Sequence, residues 1–254
     1  MKKNIIVTAG PTNERIDSVM KITNMSTGAL GAQIAEELLE EDELERLYYI
    51  SPKLAHKPRK GSGKLELLTI ESTLDLLNQI KKLLTTTRID GIIHSAAVGD
   101  YYGEYTITGE LLAKEIASKL QHKKLTQEEI EKIILDIINH PTTITDNTTK
   151  ISSYEKNLMI KLGLTPKVIS HIKEISPATT LIGFKLLDGV EKEALLQVAE
   201  NLRTKNKADY IVANNLSQIG NGKHPATIIG ENGIYKECTT KKEIAKTLTK
   251  ILFK

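Results

Sequence analysis

The chain has 254 residues, with 35 Lys and Arg against 32 Asp and Glu and a formal net charge of +3 at pH 7. So mild a balance, with both signs interspersed, argues against a nucleic-acid partner and for an ordinary solvated surface. Hydrophobic content of 40% and charged content of 26% fit a soluble globular protein with room for one full core; no run approaches a membrane span, and the N-terminus enters a strand rather than a signal peptide, so a cytoplasmic location and no membrane partner are expected.

Apolar runs alternate with helical periodicity along the chain, which predicts an α/β fold with a Rossmann-like, mainly parallel sheet flanked by helices. The first strand, around Ile5-Ile6-Val7, ends in a turn at Gly10-Pro11. A polar loop, Thr12 to Asn24, follows, then Met25-Ser26-Thr27-Gly28-Ala29 leads into a helix marked by Ile34, Ala35, Leu38 and Leu39. Leu47–Ser51 and Leu65–Ile70 read as the second and third strands. Leu74, Leu77, Ile80 and Leu84 mark the next helix, and Asp90–His94 the fourth strand, running into Ser95-Ala96-Ala97-Val98-Gly99-Asp100.

The rhythm then breaks. Residues 109–120 and 126–139 read as two amphipathic helices, and 103–149 as an insertion in a single domain spanning 1–254. The apolar stripes of these helices need a partner, either the core or a second subunit. Alternation resumes with a strand candidate at Lys156–Ile160. A helix is expected with Thr165 as N-cap and Pro166 at its first position. A strand at 180–185, a helix at 190–204, a strand at 208–214, a C-terminal antiparallel hairpin at 226–236 and a helix at 240–252 complete the chain. Cys238, the single cysteine, excludes an internal disulfide framework and fits a reducing compartment; nothing nearby in sequence would activate it.

Chemistry is expected at the carboxyl ends of the strands, where open parallel sheets bind ligands. Gly10-Pro11-Thr12 and the small-residue helix start Ser26-Thr27-Gly28 suit an anion, since backbone N–H groups and a helix dipole converge there. Gly10, Gly28 and Gly31 do not form a tight G-x-G-x-x-G, so a phosphorylated substrate or mononucleotide fits better than a dinucleotide; turn geometry and close helix packing are the competing explanation for these glycines. Small side chains at Ser95, Ala96 and Ala97 would let a flat group approach the backbone. Asp100 could accept from an amino group, hold a metal through water, or simply cap a helix or turn. Asn24 can both donate and accept, and Lys150 carries charge outside any evident helix. The histidines show no metal-ligand spacing. A short-chain-dehydrogenase reading needs Lys four residues after a Tyr, but Tyr101, Tyr105 and Tyr154 are followed there by Tyr105, Gly109 and Leu158.

These elements, in this order, resemble phosphopantothenoylcysteine synthetase of the stand-alone bacterial type. The likeness rests on Thr8–Thr12, Ile16–Val19, Ile22–Gly31, Ser95–Tyr101, Lys150–Ser153, Gly183-Phe184 and Ala208–Asn214. The resemblance implies that 4′-phosphopantothenate is activated by CTP, with ATP the alternative, as an acyl-nucleotidylate with Mg²⁺. L-cysteine would then be joined to it. It further implies that Asn24 holds the intermediate, that Ala96 and Ala97 lie against it, and that Gly10, Pro11, Thr12, Ser26, Thr27 and Gly28 take a phosphate of substrate or intermediate. Ser95, Asp100, Lys150, the turn Pro166-Lys167-Val168-Ile169 and Phe184 would serve the nucleotide, with Lys205 and Lys207 as displaced nucleotide-contacting lysines. A homodimer is implied, with 103–149 as a flap. The chain departs from many bacterial forms in having Ala29 after the Ser-x-Gly and Met25 before Ser26, where basic residues often stand.

Overall fold

The computed structural model describes residues 1–59 and 61–254. In chain order the elements are β1 (Lys3–Thr8), β2 (Asn13–Arg15), β3 (Lys21–Thr23), α1 (Ala29–Leu38), β4 (Leu44–Ser51), β5 (Leu65–Thr69), α2 (Thr73–Thr86), β6 (Gly91–His94), β7 (Tyr101–Thr108), α3 (Gly109–Leu120) and α4 (Gln127–Asn139). They continue with β8 (Leu158–Leu164), α5 (Val168–Ile175), β9 (Thr180–Leu187), α6 (Lys192–Lys205), β10 (Tyr210–Asn215), β11 (Ala226–Gly230), β12 (Gly233–Cys238) and α7 (Lys241–Leu252). The chain divides into two compact units, one of Met1–Thr12, Asn24–Val98 and Pro166–Lys254, the other of Asn13–Thr23 and Gly99–Thr165.

The first unit is an eight-stranded sheet in the order β12-β11-β10-β9-β6-β1-β4-β5. Six neighbours run parallel, from β5 across to β10, and β11 and β12 close one edge as an antiparallel hairpin. Side chains alternate across the sheet. Ile5 and Val7 point into a core shared with Ile34 and Leu38 of α1 and Ile244 and Leu248 of α7. Ile6 points the other way, into a core with Leu76 and Ile80 of α2, Ile172 of α5 and Leu195 of α6. With no Trp available, aliphatic interdigitation fills both layers. The helix starts are locally encoded: Ser72 and Asp75 form a reciprocal capping box on α2, and the Thr240 side chain accepts from the Glu243 N–H on α7.

In the second unit β7 and β8 form an antiparallel ribbon, β2 and β3 a short hairpin, and α3 packs along α4. The helices are thinly covered here: α3 buries no residue fully and α4 only Ile137.

Three expectations need correction. The strand at Lys156–Ile160 begins at Leu158 and pairs with Tyr101–Thr108, not with the large sheet. Its partner β7 follows Asp100 directly. Residues 13–23 are a hairpin rather than an open loop. Finally, Thr165 does not cap α5: its hydroxyl donates to the Gly99 carbonyl and its N–H to the Asp100 carbonyl, so the helix begins at Val168 with Lys167 as N-cap.

Candidate active site

Within the first unit the chain leaves β1 toward β4 and β5 on one side and later builds β6, β9 and β10 on the other. Strand order therefore reverses between β1 and β6, and the crevice at their carboxyl ends is the favoured ligand position in such sheets. Gly10-Pro11-Thr12 leaves β1 here and Ser95-Ala96-Ala97 leaves β6. The two segments stay paired past the strands: Ala97 N–H donates to the Gly10 carbonyl at 2.9 Å, and Thr12 N–H donates to the Ala97 carbonyl at 3.2 Å.

Every N–H of the Ser95–Ala97 stretch is committed. Ser95 N–H donates to the Thr8 carbonyl at 3.2 Å, and Ala96 N–H to the Thr8 hydroxyl oxygen at 3.2 Å. The Ser95 hydroxyl donates to the Thr8 carbonyl at 2.7 Å. The stretch therefore has no spare backbone donor for an anion, and its backbone can meet ligand donors only as an acceptor. Thr8 Oγ1 also lies 2.9 Å from Nδ1 of the buried His94. Burial pushes the His94 pKa down to about 4, which keeps the ring neutral.

Asn24 lies at this crevice. Its side-chain amide donates to the carbonyls of Ala97 and Val98, each at 3.2 Å. An exposed loop residue is thus held against the stretch that carries the two alanines. Ser26-Thr27-Gly28 lies at the start of α1. Gly28 is its N-cap at φ +78°, and Gly10 has φ +77°, conformations that favour glycine. A Cβ on Gly28 would come within 3.1 Å of the Gly10 nitrogen, and one on Gly31 within 2.4 Å of Ala9 Cβ. Close helix–sheet packing therefore accounts for Gly31, while Gly10 and Gly28 shape the crevice. The Ser26 and Thr27 hydroxyls accept long bonds of 3.4 Å from Gly28 N–H and Ala29 N–H, and no acidic residue stands in the first turn of α1.

The turn Pro166-Lys167-Val168-Ile169 reaches the same edge, with Ile169 against Gly183 on β9 and Val168 buried. Phe184 follows Gly183, which pairs with His94, and lies half-buried against the α1–α7 core. Lys205 and Lys207 are not brought here. Helix α6 carries the chain back to the amino end of the sheet, so both lysines precede β10, whose six residues span roughly 20 Å. A cavity of about 600 Å³ lies at that amino edge and is lined by Lys207, Tyr210 and Tyr235.

Asp100 and Lys150 belong to the second unit and are exposed there. Sequence reading missed the anchor of the Lys150 segment, although Asp17 stood in a quoted motif. The Asp17 carboxylate accepts from Met20 N–H at 2.6 Å, Val19 N–H at 2.7 Å and Ile151 N–H at 2.9 Å. The Met20 bond, then those from Ile151 and Val19, hold its pKa below the usual carboxylate value. Cys238 is buried, and burial raises its thiol pKa, which agrees with an inert role. Among the described residues no group of three His, Cys, Asp or Glu side chains could hold a metal, and no helix is long and apolar enough to cross a membrane.

Residues 1–143 and 140–254 match the family model described as DNA/pantothenate metabolism flavoprotein C-terminal domain. The chain is 28% identical over 247 residues to the coenzyme A biosynthesis bifunctional protein CoaBC of Thermococcus kodakarensis, covering 97% of this chain and 50% of that protein. It is similar to the crystal structure of the DNA/pantothenate metabolism flavoprotein from Streptococcus pneumoniae, at 34% identity and TM-score 0.77, over 99% of this chain and 98% of that one. A Cab2 mutant in complex with phosphopantothenate-cysteine shares the fold at TM-score 0.65 and 14% identity, over 99% of this chain and 87% of that one. The chain spans about half the length of the curated relatives it matches.

Proposed function

The chain belongs to the DNA/pantothenate metabolism flavoprotein C-terminal domain family, and from that membership we propose that it is a phosphopantothenate–cysteine ligase of coenzyme A biosynthesis. The 4′-phosphopantothenate carboxylate attacks the α-phosphorus of CTP, the bond to pyrophosphate breaks, and an acyl-cytidylate forms. The amine of L-cysteine then attacks the acyl carbon, and CMP leaves. The observation that carries this reading is the Asn24 amide, held at 3.2 Å from two carbonyls of the β6 exit at the switch-point crevice.

Such a site works mainly by positioning. Asn24 spends its two amide N–H groups on the Ala97 and Val98 carbonyls, so it acts by holding the β6 exit in place against the intermediate. The committed donors at Ser95–Ala97 fix the backbone against which the intermediate lies, and the start of α1 takes a phosphate. Phe184 and the Pro166–Ile169 turn serve the nucleotide. In the second unit, Asp100 and Lys150 carry the nucleotide and triphosphate roles that the resemblance assigns. Mg²⁺ would accompany the nucleotide and supply charge neutralisation. CTP is preferred on the likeness of Ala96-Ala97-x-x-Asp100 and Gly183-Phe184 to CTP-using forms. A kcat/KM for CTP well above that for ATP is the expected result, and comparable values would remove the preference.

We extend the proposal to a homodimer through the second unit. Its support is the apolar surface left uncovered there: Leu162, Leu164 and Met159 on β8, and the two thinly buried helices.

A further inference from the structure

A second cavity, about 340 Å³, opens beside the start of α1 in the first unit. One wall is the flank of α1 at Ala29 and Ala32; His56, Lys57 and Arg59 from the loop after β4, and Lys241 at the start of α7, supply the rest of the charge. None of these four took part in the site described above. The volume falls within the range of small-ligand pockets. The cavity is built from several elements rather than one. His56 N–H donates to the Thr27 carbonyl at 3.0 Å, which ties the basic loop to the α1 entry. The Tyr49 hydroxyl donates to the His56 carbonyl at 2.7 Å from beneath.

Lys57 is half-buried, and its ammonium donates to the Ser51 hydroxyl and, at 2.7 Å, to the Pro52 carbonyl. Two of the three ammonium donors are spent here, and the group also stands 5.9 Å from the centroid of the Tyr49 ring, so it is held in place. The acid on the wall, Glu36, accepts from the Arg59 backbone N–H at 2.8 Å, which ties the loop to α1, and Arg59 is part of the lining. Lys57, Arg59 and Lys241 against Glu36 leave the lining net positive before any protonation of His56. Ala29 has no side chain long enough to fill the space in front of them. A compact, multiply charged oxyanion matches such a lining, because charge-assisted bonds are the strong ones.

We propose that this cavity is a phosphoryl-oxyanion subsite, in which Lys57, Arg59 and Lys241 bind either the polyphosphate tail of the nucleotide or the phosphomonoester of the acyl substrate. It deepens the ligase reading and rests on that reading only for the identity of the source. Arg59 and Lys241 are binding residues that set affinity for the charged group, while Lys57 combines that role with holding the loop.

The test is calorimetric titration of the full chain with inorganic pyrophosphate, read without turnover. Wild type binds it, and an Arg59→Ala/Lys241→Ala double variant with an unchanged melting temperature binds about tenfold more weakly, as expected for two lost charge-assisted contacts. If the double variant fails to fold, Arg59→Glu at an exposed position replaces it and must weaken binding at least as much. Competition then assigns the source: displacement of pyrophosphate by CTP points to the nucleotide tail, and displacement by phosphopantothenate to the phosphomonoester. No pyrophosphate binding by wild type, equal binding by the variants, or displacement by neither compound overturns the subsite. Because binding is read alone, a chain that binds pyrophosphate through these residues yet forms no product would sink the ligase reading and leave the subsite standing.

Discussion

In the proposed reaction Asn24 is the residue on which the chemistry turns. Its amide is held in an exposed loop by two carbonyl acceptors, so Asn24→Asp loses both bonds and sets a carboxylate against the two carbonyls, which releases the β6 exit from its position. Misplacement by about 1 Å at such a site typically costs about 10²-fold in rate. The expected outcome is a kcat lower by about that factor with an unchanged unfolding midpoint; normal turnover would remove Asn24 from the mechanism. His94 has a different consequence. The folded chain keeps it neutral down to about pH 4, whereas the unfolded chain takes up that proton near pH 6.5. Between those values the unfolded state binds more protons, so stability falls as pH drops through this window, by about 3 kcal/mol in total, with nothing further from this residue below it. Urea unfolding of His94→Gln at pH 7 and pH 4.5 should show that loss largely gone; an equal loss in both proteins would contradict it. Sequence alone could name Asn24 and leave His94 a packed histidine. It could not show that Thr8 joins His94 to Ala96, because that link depends on the register of β1 with β6.

Elements were legible where local chemistry and periodicity agreed. The α1, α2, α6 and α7 patterns and the C-terminal hairpin lie where apolar spacing and turn glycine place them. The failures came from pairing. Leu158–Leu164 is apolar enough for a sheet, but nothing in its composition says that Tyr101–Thr108 is its partner, and most of its residues remain exposed or half-covered. The α5 start was misplaced because the Thr165 hydroxyl found a distant carbonyl instead of its own helix. The lysine pair lies away from the crevice for a topological reason: proximity to the Asp209-Tyr210 motif in sequence places Lys205 and Lys207 at the amino end of β10. The exposed helices α3 and α4 carry the element-scale prediction. Light scattering should give the mass of two 28.2 kDa chains for wild type and of one for a variant lacking 109–139. A monomeric wild type, or an unchanged dimer after the deletion, would refute the dimer contact.

At the scale of the molecule, a doubly wound sheet was readable from alternation, and its switch point explains why residues far apart in sequence, Gly10, Asn24 and Ala97, meet in one crevice. The same topology separates them from the cavity at the amino edge. The family match extends over both units of the chain, and the ligase reading stands or falls on whether this chain joins its two substrates through a nucleotidylate. The direct measurement is incubation of the protein with 4′-phosphopantothenate, L-cysteine, Mg²⁺ and CTP, with the phosphorus products resolved. The predicted result is phosphopantothenoylcysteine formed with equal amounts of pyrophosphate and CMP. Release of CDP and orthophosphate instead, or no cysteine-dependent product with any nucleotide, would contradict it.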